Sequence, residues 1–308
     1  MSLPLRLLRG RGLPTAARSG AAAGRFVWLA PAALLVLAFM AGPILSLATG
    51  HSVDGIDPAA AWAGPGAEHL LGTDALGRDV AVRTGYALRV SLLVALVAAF
   101  VSLVMGGLSG LASGFVGGIA DRAFLRVLEV LQALPFIFIV ILVTMLTREL
   151  VASWSVGLSA RALTQAGTVA ACLGAIQWFS LARYARSLAV SVRSADYVSS
   201  MIGMGFSKWR IVWRHLLPNT LVPMLAYATL LVPVLVLEEA FLSFLGFGVQ
   251  PPYPSLGTLL SDGASAMESA PTMLLSSCGA ILLLTVCTNV LASRLASRFA
   301  ATDVRGGG

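Results

Sequence analysis

Long apolar runs separated by short polar and basic segments set the layout of this chain. Six runs carry no charge: Phe26–Leu47, Val90–Ala120, Val130–Thr147, Ala162–Ala182, Leu216–Leu237 and Ser269–Ser293. A bilayer core about 30 Å thick takes about 20 helical residues to cross. Lipid offers the backbone no hydrogen-bond partner, so each run is expected to be a helix. The alternation of a membrane barrel is absent. The pattern predicts an all-α polytopic membrane protein with six transmembrane helices. The third run is short, and the second is long enough to include a loop. Pro135 is expected to kink the third run near its start. Pro218, Pro223 and Pro233 predict a bent or broken fifth span. In the second run Gly106, Gly110, Gly114 and Gly118 stand four apart. That spacing lets helices approach closely in lipid, either within this chain or against a sister subunit.

The polar segments carry their own patterns. Asp196 to Asn219, DYVSSMIGMGFSKWRIVWRHLLPN, is a basic island between two spans and reads as helix, turn, helix. Ser194 is placed to cap the first helix, and Gly205 to end it in the left-handed conformation. Ser207 is placed to cap the second, which is expected to run to Leu217 before Pro218 interrupts it. Trp209, Val212, Trp213 and Leu216 predict one apolar stripe on that helix. In HLLGTDALGRDVAVR at 69–83, Gly72 predicts a turn and Thr73 or Asp74 a helix cap, giving a helix on the outer leaflet or a docking element. In residues 240–263, Gly246, Gly248, Pro251, Pro252 and Pro254 forbid a continuous helix and predict a structured, partly re-entrant outer loop.

Composition agrees with the membrane reading. The 308 residues are 57% hydrophobic and 11% charged, with mean hydropathy +0.87, against about 25% charge in soluble domains. The net charge of +7 and pI near 10.0 suggest nucleic acid only until the charges are located. Arg6, Arg9, Arg11, Arg18 and Arg25 precede the first span, and Arg122 and Arg126 follow the second. Arg183, Arg186, Arg193, Lys208, Arg210 and Arg214 lie between the fourth and fifth, and Arg294, Arg298 and Arg305 follow the sixth. Basic residues flank spans on the cytoplasmic side, so both termini and the hairpin are expected there. The basic start followed by an apolar run also resembles a signal peptide. The run's length and Ala-Gly-Pro at 41–43 favour an uncleaved span. Cys172, Cys278 and Cys287 all fall within spans, spaced for neither zinc nor a redox pair, and read as small core residues.

Candidate chemistry is sparse. Glu238 and Glu239 end the fifth span, and an ionisable group in the membrane is a functional candidate by default. They either line a pathway or reach the outer interface. His69 with Asp74 and Asp79 can be drawn as a metal site, but carboxylates near one histidine are common by chance, and no metal is expected. The single lysine, Lys208, lacks the glycines of a GxxxxGK[ST] phosphate loop. The spans hold no histidine and no HExxH or GxSxG arrangement. The chain is therefore not expected to be an enzyme or to bind ATP. A proton- or ion-coupled secondary transporter using Glu238 and Glu239 is the alternative, although no internal repeat supports it.

The hairpin resembles the coupling loop of bacterial ABC importer permeases, the Glu-Ala-Ala motif with Gly and Pro at fixed separation. Gly205 and Leu217–Pro218 match that separation. More narrowly, the chain resembles the C-type permease of dipeptide, oligopeptide, nickel and glutathione importers. LGTDALGRDV at 71–80, RVSLLVALVAAF at 89–100 and EAFLSFLGFGVQPPYPSLGTLLSDG at 239–263 add to the hairpin. The resemblance covers residues 26–298. It implies a type I importer permease fold: a cytoplasmic tail 1–25, a first span and extracytoplasmic segment 26–88, a transmembrane core 89–298 with hairpin 194–219, and a tail 299–308. It implies coupling to an ATPase subunit through Asp196, Ser199, Ser200, Met201, Gly205, Phe206, Arg210 and Pro218. It further implies a second homologous permease, two cytoplasmic ATP-binding subunits that hold ATP and Mg, an extracytoplasmic substrate-binding protein, surrounding lipid and a bacterial cytoplasmic membrane. No nucleic acid is implied. Two departures stand out. Ser199-Ser200-Met201 replaces Glu-Ala-Ala, with Asp196 three residues earlier where the subfamily has Glu. Glu238 adds a second acid where the subfamily has one, at the Glu239 position.

Overall fold

The computed structural model of the chain describes residues 29–153 and 157–306. The N-terminal tail, with Arg6, Arg9, Arg11, Arg18 and Arg25, lies outside the described residues. In chain order the helices are α1 (Leu29–Thr49), α2 (Val80–Val116), α3 (Gly118–Ala133), α4 (Phe136–Ser153) and α5 (Leu158–Arg193). Then follow α6 (Asp196–Gly203), α7 (Lys208–Ile211), a π turn (Val212–Leu216), α8 (Leu217–Phe244), α9 (Leu256–Ser265) and α10 (Pro271–Gly306). A 3-10 turn, Pro58–Ala60, lies between α1 and α2. The described residues form no sheet, only one isolated bridge between Thr73 and Asp79.

Four helices are long and apolar enough to cross a membrane: Ala30–Thr49, Val80–Val116, Trp209–Phe244 and Pro271–Arg298. The pair α3 and α4, bent by 78° at its break, makes a fifth if it is one span. The bend falls at Leu134 and Pro135, where the sequence predicts a kink. The fourth predicted run is the middle of α5, which falls short of these spans in apolarity. Gln165 is buried and Gln177 half-buried, so these polar groups face protein instead of lipid. Outward-facing Leu37, Leu47, Phe100, Phe138, Leu275 and Leu282 are exposed, as lipid-facing positions require.

The most extensive helix pairing joins α2 and α5. A Cβ on Gly106 would lie 2.7 Å from the Trp178 carbonyl oxygen, and one on Gly114 would lie 2.6 Å from that of Arg186. From the other side, a Cβ on Gly174 would lie 2.7 Å from the Ala98 oxygen. The Ser102 hydroxyl donates to the Gly174 carbonyl at 2.9 Å across the same contact. Of the two readings of the glycine spacing, packing within the chain is the one seen, because only glycine lets these backbones approach so closely. Asp121 at the start of α3 braces the C-terminal ends of α2 and α5. Arg186 of α5 donates to its two oxygens at 2.5 and 2.6 Å, and the Ser113 hydroxyl of α2 donates at 2.7 Å.

Several local expectations are corrected. The break in the second run is a single residue, since α2 is one helix from Val80 to Val116, ended at Gly117 with φ 67°, and the run's last three residues begin α3. Its N-cap is Asp79, whose carboxylate accepts the Val82 N–H at 2.9 Å, instead of Thr73 or Asp74. No helix forms over 69–78, because Gly72 and Gly77 take positive φ and Asp74 is engaged elsewhere. Asp74 accepts the Leu76 and Arg78 amides, and its other oxygen faces the Arg78 and Arg83 guanidiniums. Burial acts to raise the Asp74 carboxyl pKa, but the Arg78 amide, the Arg83 charge and the Leu76 amide outweigh it and hold it below the usual carboxylate range. The fifth span is not broken. Helix α8 runs through Pro223 and Pro233, and the irregularity is confined to the π turn before it. Of the cysteines, Cys287 is buried and Cys172 half-buried, whereas Cys278 is exposed and is no core residue.

Candidate coupling hairpin and membrane-embedded acids

The hairpin is built from two short helical arms held by a few buried side chains. Val198, Ile211 and Leu216 are buried and tie both arms to the apolar core. Between the arms the chain reverses at Gly205, with φ 80°. The Phe206 amide bonds to the Met201 carbonyl at 3.1 Å and the Gly205 amide to that of Ile202 at 3.0 Å. These two bonds form the Schellman closure, which requires a left-handed residue at the glycine. A Cβ on Gly205 would meet nothing within 4 Å. Glycine is required here by backbone conformation alone, and open space surrounds the turn.

The second arm starts as its sequence predicts, with the Ser207 hydroxyl accepting the Arg210 amide at 3.3 Å. The first does not. Ser194 ends α5, its hydroxyl donating back to the Ser191 carbonyl, and Ala195 precedes α6 without a side-chain cap. Nor does the second arm stop at Leu217. The Leu217 amide bonds to the Val212 carbonyl, five residues back, and the widened turn leads into α8 with Pro218 in its first turn. Proline needs no donor there. The predicted apolar stripe is divided. Leu216 is buried and Val212 half-buried, but Trp209 and Trp213 are exposed, paired edge to face at 5.3 Å between centroids.

Seven of the eight hairpin positions that the resemblance implies are exposed. Asp196, Ser199, Ser200, Gly205, Phe206, Arg210 and Pro218 are exposed, and Met201 packs partly against the core. The Arg210 guanidinium lies 5.9 Å from the centre of the Phe206 ring across the turn. Ser200 donates to the Asp196 carbonyl at 2.9 Å, so the serine standing in place of Ala of the motif is spent locally. Asn219 donates to the Tyr197 hydroxyl at 3.4 Å and joins the ends of the arms.

Glu238 and Glu239 do not share a site. Glu238 is half-buried and accepts Gln177 of α5 at 2.7 Å; its other oxygen has no partner among the described residues. Glu239 is fully buried on another face of α8, where one oxygen accepts the Ser243 hydroxyl at 2.6 Å. The Ser91 and Ser255 side chains face the same carboxylate. Ser91 also accepts the Leu256 amide at 3.1 Å, and Ser255 accepts the Thr258 amide at 3.3 Å, capping α9. Glu239 therefore lies where α2, α8 and the start of α9 meet, bonded to Ser243 alone among the described residues. Sequence reading paired the two acids and missed these serines, which carry no distinguishing signal outside the fold. It also missed Asp121 with Arg186, whose only signal is a charge of each sign near helix ends.

The metal drawn with Asp74 is not assembled, because Asp74 is spent on Arg78 and Arg83. His69 does meet Asp79, at 2.9 Å.

Residues 106–301 match the family described as binding-protein-dependent transport system inner membrane component. An oligopeptide transport system permease protein, OppC, of Haemophilus influenzae is 39% identical over 227 residues, 74% of this chain and 68% of that protein. The OppC of Escherichia coli K12 is 36% identical over 274 residues, 86% of this chain and 84% of that one. A dipeptide transport system permease protein, DppC, of Bacillus subtilis is 36% identical over 246 residues, covering 78% and 71%. These similarities set aside the secondary transporter. With several apolar spans and a family match over most of its length, this multi-pass membrane protein belongs to the family of inner membrane components of binding-protein-dependent transport systems.

Proposed function

We propose that the chain is a non-catalytic permease subunit of an ATP-driven importer carrying peptides or peptide-like solutes. The observation that carries the coupling role is the hairpin: a rigid Schellman turn at Gly205, anchored by Val198, Ile211 and Leu216, presenting seven of the eight motif positions outward. In this reading both termini and the hairpin are cytoplasmic, and 299–308 is a cytoplasmic tail. The hairpin seats in a groove on one of two ATP-binding subunits, which hold ATP and Mg. Their closure drives this chain and a second homologous permease between inward- and outward-facing states. Substrate arrives on an extracytoplasmic binding protein at the bacterial cytoplasmic membrane. The names of the oligopeptide and dipeptide permeases support the cargo class.

Coupling is tested at the turn. Gly205→Asp puts a charged side chain on the exposed turn, at a positive φ that aspartate tolerates better than most non-glycine residues. The assembled complex is expected to lose transport-linked ATPase while membrane insertion stays normal. Coupled ATPase at the wild-type rate would sink the assignment.

Within the same reading Glu238, half-buried with Gln177 beside it, is the better candidate for the translocation path than the fully buried Glu239. Glu239 is a positioning residue. Glu238→Gln is expected to change uptake rate or selectivity across peptides of different charge. Wild-type uptake of all of them removes Glu238 from the path.

A further inference from the structure

We propose that His51, His69 and Asp79 bind a divalent cation of zinc type, tying the end of α1 to the start of α2. One ring nitrogen of each histidine and a carboxylate oxygen of Asp79 lie within 4.8 Å of one another. The three come from separate pieces of chain. His51 follows Gly50, which ends α1 at φ 76°; His69 lies in the connecting segment; Asp79 caps α2. The two imidazoles stack with centroids 4.7 Å apart and planes 29° from parallel.

The hydrogen bonds fix which nitrogens are free. His51 Nε2 lies 3.2 Å from the Glu68 carbonyl oxygen, which can only accept, so that nitrogen carries the hydrogen and Nδ1 the lone pair. An imidazole held through one nitrogen by a backbone carbonyl, with the other presented, is the usual posture of a metal-bound histidine. His69 Nδ1 and Asp79 Oδ2, 2.9 Å apart, share one proton. A cation replaces that proton, which is released to solvent, and the pair opens to about 3.3 Å, the separation of two tetrahedral ligands at about 2.0–2.1 Å from zinc. Asp79 Oδ1 stays on the Val82 amide and keeps the carboxylate oriented. Two imidazoles and one carboxylate suit Zn2+ and leave a fourth position for water. His69, with 12% of its side chain exposed, leaves a way in. The His69–Asp79 bond alone closes the connecting segment onto α2. It does not require a second imidazole laid against it with its outer nitrogen tied down.

The chain has three histidines, His51, His69 and His215, and that makes the test clean. The full-length protein, tag removed, is titrated with Zn2+ in detergent against a chromophoric chelator of micromolar affinity. One equivalent is expected to bind. His51→Ala keeps the His69–Asp79 bond and so the fold of the segment, and is expected to weaken binding at least about tenfold, since even an outer-shell partner is worth about 10–100-fold. His69→Ala is expected to do the same, and His215→Ala to change nothing. No tight equivalent in the wild type, or one that survives His51→Ala, overturns the proposal.

Discussion

Gly205 and Glu239 show how differently single residues act in this chain. Among the described residues nothing lies within 4 Å of where a Cβ on Gly205 would stand, and its constraint is entirely torsional. The torsion was legible in the sequence because few residues other than glycine close a helix in this way. Glu239 is constrained by its surroundings, and those come from Ser91, 148 positions earlier by subtraction of residue numbers, and from Ser255 and Ser243. Nothing local marks those serines. Glu239→Leu is expected to leave the buried Ser243 hydroxyl without its acceptor, at about 1–3 kcal/mol, and to lower the thermal unfolding midpoint in detergent. Glu239→Gln keeps an acceptor and should fall between. Equal midpoints for the Leu variant and the wild type would mean that Ser243 does not depend on Glu239.

Among the elements, α2 and α5 form the frame on which the rest is hung. Glycines four apart made a close helix contact legible, but periodicity alone did not say which helix came close. The partner emerges from the fold: Gly106 and Gly114 meet the backbone of α5, and Gly174 meets that of α2. Gly114→Leu is expected to push the two helices apart, costing about 1–3 kcal/mol or more for an overpacked core site. The complex should then assemble poorly, as read by co-purification with its partner subunits. Normal recovery would place the tolerance for a side chain elsewhere than this contact. Proline was the less reliable signal. Pro135 does mark a sharp bend, whereas Pro223 and Pro233 sit within an unbroken α8. The difference lies in the neighbours: α3 and α4 pack on different surfaces, while α8 is held along its length by α2, α5 and α10.

For the whole molecule, sequence pattern yields the class and the order of elements, and the structure supplies depth and partnership. Five of the six predicted runs coincide with helices that pass as spans alone or as a bent pair. The sixth case, α5, carries Gln165 and Gln177 into the protein interior, where neighbouring helices replace lipid. Its polar composition reflects that shelter. The hairpin follows the C-terminal end of α5, and the Asp121–Arg186 brace ties the same end of α5 to α3. If this hairpin hands ATP-driven motion to the permease, its tip must touch the ATP-binding subunit. Phe206→Cys, placed in a chain whose three cysteines are replaced by serine, should cross-link to the ATP-binding subunit of the assembled complex through a short bifunctional maleimide. Absence of that cross-link in a complex that still transports would contradict coupling through the hairpin.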